Sequence, residues 1–183
     1  MPSAASLGTS ANSSSVPIVV FMDMQREYLA KLQLLAISQI DRALDKCRKV
    51  LDHSRKTGLP VAFIRVINEL AFFNPLTPSV RWIKGFGPCR DELVFERTSP
   101  SCYSSEPFTA LVNRSRGGFG LRDFQEMSLC DASARHALDE MPAGDVHRAV
   151  SKISGICAEV FETDDWIEQT LPRNLGYGKN AGG

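Results

Sequence analysis

The chain has no surplus of charge: 21 Lys and Arg residues stand against 21 Asp and Glu, a formal net charge of +0 with a sequence pI near 6.8. Nothing is therefore available to neutralise a phosphate backbone or an anionic lipid surface, and the expected partners include no nucleic acid and no membrane. Paired cysteines are also missing. The five cysteines, Cys47, Cys89, Cys102, Cys130 and Cys157, are odd in number, scattered and never spaced C-x-x-C. That pattern excludes a disulfide framework or zinc knuckle and fits reduced thiols in a cytoplasmic protein. His53, His136 and His147 lie far apart with no metal-ligand spacing, so no metal is expected. Gly117-Gly-Phe-Gly120 is neither a G-x-G-x-x-G fingerprint nor a P-loop, so no nucleotide or other cofactor is expected. The apolar run from Val16 to Met24 is broken by Asp23, is too short to span a bilayer and follows no basic region, so neither a signal peptide nor a membrane anchor is read.

What is present is enough for one domain. A chain of 183 residues and 20.2 kDa buries a core without covalent staples. Residues 1–15 are mostly Ser, Ala, Gly, Thr and Asn without apolar periodicity, the composition of a disordered tail, and they contain no Arg to suggest a transit peptide. The domain is expected over residues 16–173, with a flexible tail at 174–183. Pro17-Ile-Val-Val-Phe-Met22 reads as a strand buried on both faces, as in a parallel sheet. From Ile37 the apolar positions Ile40, Leu44, Cys47 and Leu51 trace a helix that ends at Gly58, before Pro60. Val61-Ala-Phe-Ile-Arg-Val66 is the next strand, so strand, helix and strand follow the order of a right-handed parallel crossover.

Residues 67–91 carry Asn74-Pro75, Thr77-Pro78, Gly85 and Gly87-Pro88 and read as a long functional loop containing Phe72, Trp82 and Phe86. Glu92-Leu-Val-Phe-Glu96 predicts a third strand, and Phe108, Leu111 and Val112 a short helix. The rhythm then breaks at Asn113-Arg-Ser-Arg-Gly-Gly-Phe-Gly120, where no strand can be assigned. It resumes with Met127–Cys130, a helix capped by Ser133, and a helix from Asp145 with Val146, Val150 and Ile153 on one face, closed by Gly155. Cys157-Ala-Glu-Val-Phe161 predicts the last strand, and Thr163 caps a closing helix with Asp164 and Asp165 in its first turn. The fold class is α/β: three layers, a mostly parallel Rossmann-like sheet with helices on both faces.

Asp23 directly follows the first strand, at the carboxyl edge of a parallel sheet, where open α/β folds bind ligands. From position alone it either serves such a site or simply starts a turn. Asp23-Met-Gln25 followed by Tyr28-Leu29 resembles the D-x-Q signature of the isochorismatase-like cysteine hydrolases, which include nicotinamidases and N-carbamoylsarcosine amidases. Gly58-Leu-Pro-Val-Ala-Phe-Ile-Arg65 resembles that family's second strand, and Glu92–Arg97 with Ser101-Cys-Tyr103 its third strand and following turn. Asp131-Ala-Ser-Ala134, the helix from Glu140 to Ser154, and Ala158–Trp166 resemble its last two strand–helix units.

The resemblance implies a six-stranded parallel sheet, a small-molecule substrate bearing an amide, carbamoyl or enol-ether bond, no cofactor, and a homo-oligomer. It implies a triad of Asp, Lys and Cys, with the Asp as base toward a nucleophilic thiol, since a thiol of pKa near 8.5 needs a base or cation beside it. Carried over, Asp23 is the base and Arg97 stands at the Lys position. Arginine holds or stabilises charge but does not shuttle protons. Substrate contacts fall to Gln25, Tyr28, Arg65, Tyr103 and Trp82. The turn that would bear the nucleophile after a fourth strand is missing, because the stretch from Arg97 to Asp131 is about twenty residues shorter than the resemblance implies. Cys130 and, next to it in rank, Cys102 are the substitute thiols, while Cys47 and Cys157 read as packing. A catalytically inactive or internally deleted family member, acting as a binding or oligomerisation scaffold, is the alternative.

Overall fold

Val19-Val-Phe-Met22 forms β1, and the computed structural model describes it with residues 18–29, 35–37, 40–70, 72–99, 101–116, 127–129, 141–157 and 159–171. β2 (Val61–Val66) lies parallel beside it, Val19 opposite Val61 and Met22 opposite Ile64. β3 (Leu93–Arg97) continues the parallel sheet on the other side of β2, with Val66 opposite Arg97, so the order is β1-β2-β3. The central strand is the most apolar and the most buried. Ala62, Phe63 and Ile64 are fully inaccessible, as a strand covered on both faces requires.

The period-two alternation of side chains assigns each strand residue to one of two layers. Phe21, Val61 and Phe63 face α1 (Ile40–Thr57), whose Cys47, Val50 and Leu51 recur at helical spacing and close the larger core. Phe21 and Phe63 stack at 5.4 Å. Burying each ring is worth about 1.5–3 kcal/mol, an upper estimate because the unfolded chain is already partly collapsed. Ile64 faces the other way and packs with Phe108 and Val112 of α2 (Glu106–Arg116). Helices thus cover both faces, as expected. α1 ends where Gly58 adopts φ +73 and the Leu59 N–H donates to the Ser54 carbonyl at 2.9 Å, a Schellman closure that uses glycine's freedom.

The second half is a separate ladder. β4 (Met127–Leu129) pairs in parallel with β5 (Glu159–Phe161), and among the described residues neither pairs with β1, β2 or β3. Between them α3 runs from Ala143 to Cys157. α4 (Thr163–Gln169) clasps α1: Lys46 and Lys49 both bond Asp164, at 3.0 and 3.1 Å, Trp166 enters the larger core, and His53 meets Thr170 Oγ1 at 3.0 Å.

Several boundaries differ from expectation. α2 continues through Asn113-Arg-Ser-Arg116, so the first four residues of the expected break are helical, the polar residues there prolonging a helix already anchored by Phe108 and Val112; residues 117–126 lie outside the described residues. α3 passes through Gly155 and takes in Cys157, which is helical rather than the start of β5; one interior glycine costs about 1 kcal/mol and does not stop a packed helix. Glu162, not Thr163, is the extended residue before α4; its side chain makes no cap bond, and Thr163 is fully buried as the first helical residue. The 67–91 loop holds a 3-10 turn at Pro78–Val80, and Phe73, Val80, Ile83 and Phe86 are buried in it, so it is partly core. The tail at 1–15, Cys130, the Ser133 cap and the tail at 174–183 lie outside the described residues.

Candidate active site

Asp23 sits one residue past β1, held by its own N–H donating to the Ile64 carbonyl at 2.8 Å. Its φ of +60 lies in the left-handed region, and it is the one non-glycine residue so placed among those described. Aspartate tolerates that conformation better than most residues, and held backbone strain clusters at functional sites. The turn closes with the Gln25 N–H donating to the Asp23 carbonyl at 2.7 Å.

Arg97 ends β3, one strand further away. Asp23 and Arg97 therefore flank the carboxyl end of β2 and meet across it, with Arg97 Nη2 donating to Asp23 Oδ2. Arg97 Nη1 donates to the Ser99 carbonyl, and Nε has no hydrogen-bond partner among the described residues. Only 7% of the Arg97 side chain is exposed against 27% of Asp23, so water reaches the pair from the carboxylate side. A charge-assisted bond in such surroundings is stronger than on the surface and costs more to break.

Tyr28 closes a 3-10 turn at Arg26–Tyr28 and joins this pair. Burial, most of all, pushes its phenol far above the ordinary value of 10.0; the Asp23 carboxylate adds to the rise and the Arg97 guanidinium opposes it. Tyr28 is accordingly a neutral hydroxyl able to donate a hydrogen bond near the ion pair. Its ring lies 6.2 Å from that of Phe73.

The other expected contacts separate. Gln25 is wholly buried and its amide is spent on backbone: Nε2 donates to the Val66 carbonyl at 3.0 Å and the Val80 carbonyl at 3.3 Å, and Oε1 accepts from Val66 N at 2.8 Å. It stitches the end of β2 to the loop and forms a one-residue bridge with Trp82. Arg65 lies on the sheet face opposite to that of Arg97, ion-paired to Glu96 at 2.5 Å with its guanidinium 5.3 Å above Trp82. Trp82 in turn meets Phe63 edge-on at 5.6 Å. Tyr103 is half-exposed on a 3-10 turn, 6.0 Å from Phe108. Phe86 is buried under Arg48, 4.3 Å away.

Glu27 went unnoticed in the sequence. It is fully buried, Oε1 accepts from Leu35 N at 3.4 Å, and Oε2 has no hydrogen-bond partner among the described residues. Nothing in the sequence distinguishes it from a surface acid, because the turn that buries it is set by tertiary contacts. Among the cysteines, Cys47 is buried on α1, Cys89 is exposed, and Cys102 packs partly buried beside Ile64, Phe108 and Val112. No group of three or more potential metal-ligating His, Cys, Asp or Glu residues occurs among the described residues.

The fold has parallels in known proteins. The sequence model of the isochorismatase domain matches residues 17–117, more than half of the chain. Its end coincides with the end of α2. No curated protein matches the sequence. Among solved structures, an isochorismatase from Pseudomonas putida is 23% identical with a TM-score of 0.67, covering 81% of this chain and 89% of its own. A cysteine hydrolase from Pseudomonas syringae pv. phaseolicola is 17% identical with a TM-score of 0.68, covering 87% and 92%. An isochorismatase family protein from Desulfovibrio vulgaris is 13% identical with a TM-score of 0.64, covering 82% and 96%. At these identities the structures speak to the fold alone.

Proposed function

Because this chain belongs to the isochorismatase domain family, we propose that it is a hydrolase of a small amide, carbamoyl or enol-ether substrate, with Asp23 as the base. The Asp23–Arg97 pair at the carboxyl edge of the parallel sheet is the observation that carries this reading. In an amide substrate, a thiol would give its proton to Asp23 as sulfur attacks the carbonyl carbon. Arg97 would balance the negative charge without exchanging a proton. Collapse of the tetrahedral adduct would release the amine with that proton, and water would then cleave the acyl-enzyme in the reverse sense. Tyr28 would offer a hydroxyl to the substrate oxygen. Cys130 is the first thiol to test and Cys102 the second.

A second reading, a scaffold without turnover, has its own support. The family match ends at residue 117, and fewer residues separate Arg116 from Met127 than a further strand with its crossover needs. Iodoacetamide near neutral pH distinguishes the two. Rapid alkylation of one cysteine, slowed by Asp23→Asn, supports the hydrolase. Uniformly slow labelling of all five, with no amine released from small primary amides, supports the scaffold.

A further inference from the structure

We propose that a cleft between α1 and the 67–91 loop is a binding site for a free aliphatic amino acid, a small zwitterion with an apolar body. The cleft has a volume of about 310 Å³, at the lower end of the range for small-molecule sites, so it suits a ligand of that size and not a nucleotide. It lies on the α1 side of the sheet, where Ile83 and Phe86 join the larger core, whereas Arg97 shares the α2 side with Phe95. The cleft and the Asp23–Arg97 pair are therefore separate places.

The floor of the cleft is apolar, made by Leu29, Leu44, Ile83 and Phe86. Three of these are aliphatic, and the Phe86 ring is already covered by the Arg48 guanidinium, 4.3 Å from its centroid, so the floor favours a branched alkyl group over a second aromatic ring. Gly85 helps to seat that arginine. A Cβ there would stand 2.8 Å from Arg48 Nη1, and the Gly85 carbonyl accepts from the same nitrogen at 3.4 Å. Arg48 is thus occupied as a wall.

The rim supplies a partner for each charge of such a ligand. Asp41 and Asp45 stand one helical turn apart on the same face of α1, both exposed, and Lys84 stands exposed on the loop side. Among the described residues none of these three makes an ion pair, and the ion pairs of α1 use Lys46, Lys49 and Arg55 instead. Two acids against Arg48 and Lys84 give a rim of zero net charge, which a zwitterion leaves unchanged. An amine alone would leave Lys84 unmatched, and a carboxylate alone would meet two acids. An amino acid sets its ammonium on Asp41 and Asp45 and its carboxylate on Lys84.

The experiment is calorimetric titration of the full chain with leucine and with its two halves, isopentylamine, which lacks the carboxylate, and isocaproate, which lacks the ammonium. Leucine is expected to bind with a dissociation constant of about 1 mM or below, and each half about fivefold or more weaker, the scale of one exposed ion pair. Joint Asp41→Asn and Asp45→Asn substitution is expected to weaken leucine and the amine but not the acid. Lys84→Met is expected to weaken leucine and the acid but not the amine. These are exposed positions, so the fold is expected to survive each change. Asp23→Asn is expected to leave leucine binding unchanged; its loss there would put leucine at the ion pair and overturn the proposal. So would the absence of binding up to about 10 mM, a half-ligand that binds as tightly as leucine, or full affinity in both rim variants.

Discussion

The three-stranded sheet has two very different margins. At β3, Glu92 sits just ahead of the strand and receives a two-pronged bond from Arg55, at 2.8 and 2.9 Å, while Glu96 pairs with Arg65 and Arg97 with Asp23. Leu93 and Val94 are exposed there, and charge surrounds them. At β1 there is no charged side chain within the strand, and Phe21 is buried in the larger core. The first margin is built as an end and the second as a middle. The contrast shows that a strand's composition records the neighbours it is suited to, even where only one strand pairs with it among the described residues.

The largest test of that contrast is truncation on each side. Phe21→Ala in β1 is expected to cost about 3–5 kcal/mol in urea unfolding, because it removes a buried ring stacked on Phe63. Leu93→Ala in β3, a residue 43% exposed, is expected to cost less than about 0.5 kcal/mol. Similar losses at both positions would erase the distinction. Next, Arg97→Met is expected to cost about 2–3 kcal/mol by leaving Asp23 without its buried partner, less than a wholly buried pair would cost because Asp23 keeps contact with water. A cycle with Asp23→Asn should return a substantial coupling energy, and additive losses would show that the pair does not bridge β1 and β3 energetically.

Two smaller effects depend on pH. The Arg55 hydrogen bond, most of all, holds the Glu92 carboxyl below its ordinary value of 4.5. Its contribution is present above that value and is lost as pH falls through the depressed folded value. Glu92→Gln is therefore expected to flatten the acid side of the melting-temperature profile, and an unchanged profile would remove Glu92 as a guard of the β3 margin. Burial lowers the His53 pKa from 6.5, against the pull of its bond to Thr170. The neutral ring favours the folded state, so stability is complete above about 6.5 and declines below it, as the unfolded chain takes up the proton first. His53→Gln should remove that slight decline.

Much of the fold was legible in the sequence because its signals were local. β1 and β2 are short apolar runs, and α1 repeats its buried residues at helical spacing up to a glycine stop. The helix ends in the second half were less legible, since Gly155 and Thr163 are punctuation only where packing permits. At the site, Asp23 was legible from its place after a strand, and the structure joins it to Arg97 and Tyr28. The fate of Gln25 was not, because its hydrogen bonds run to Val66 and Val80, far along the chain. Glu27 was hidden for the same reason.

The clasp of α4 on α1 also bears on how the chain matures at the ribosome. α1 is complete at Thr57, but the residue that plugs its core face, Trp166, emerges only after another hundred or so residues, roughly 5–20 s later at about 5–20 residues per second. A seven-residue helix does not hold its shape unaided, so α4 arrives as unformed chain and folds onto a surface already waiting. During that interval the nascent protein carries an unfilled indole-sized socket. The closing of Asp164 onto Lys46 and Lys49 ends that interval.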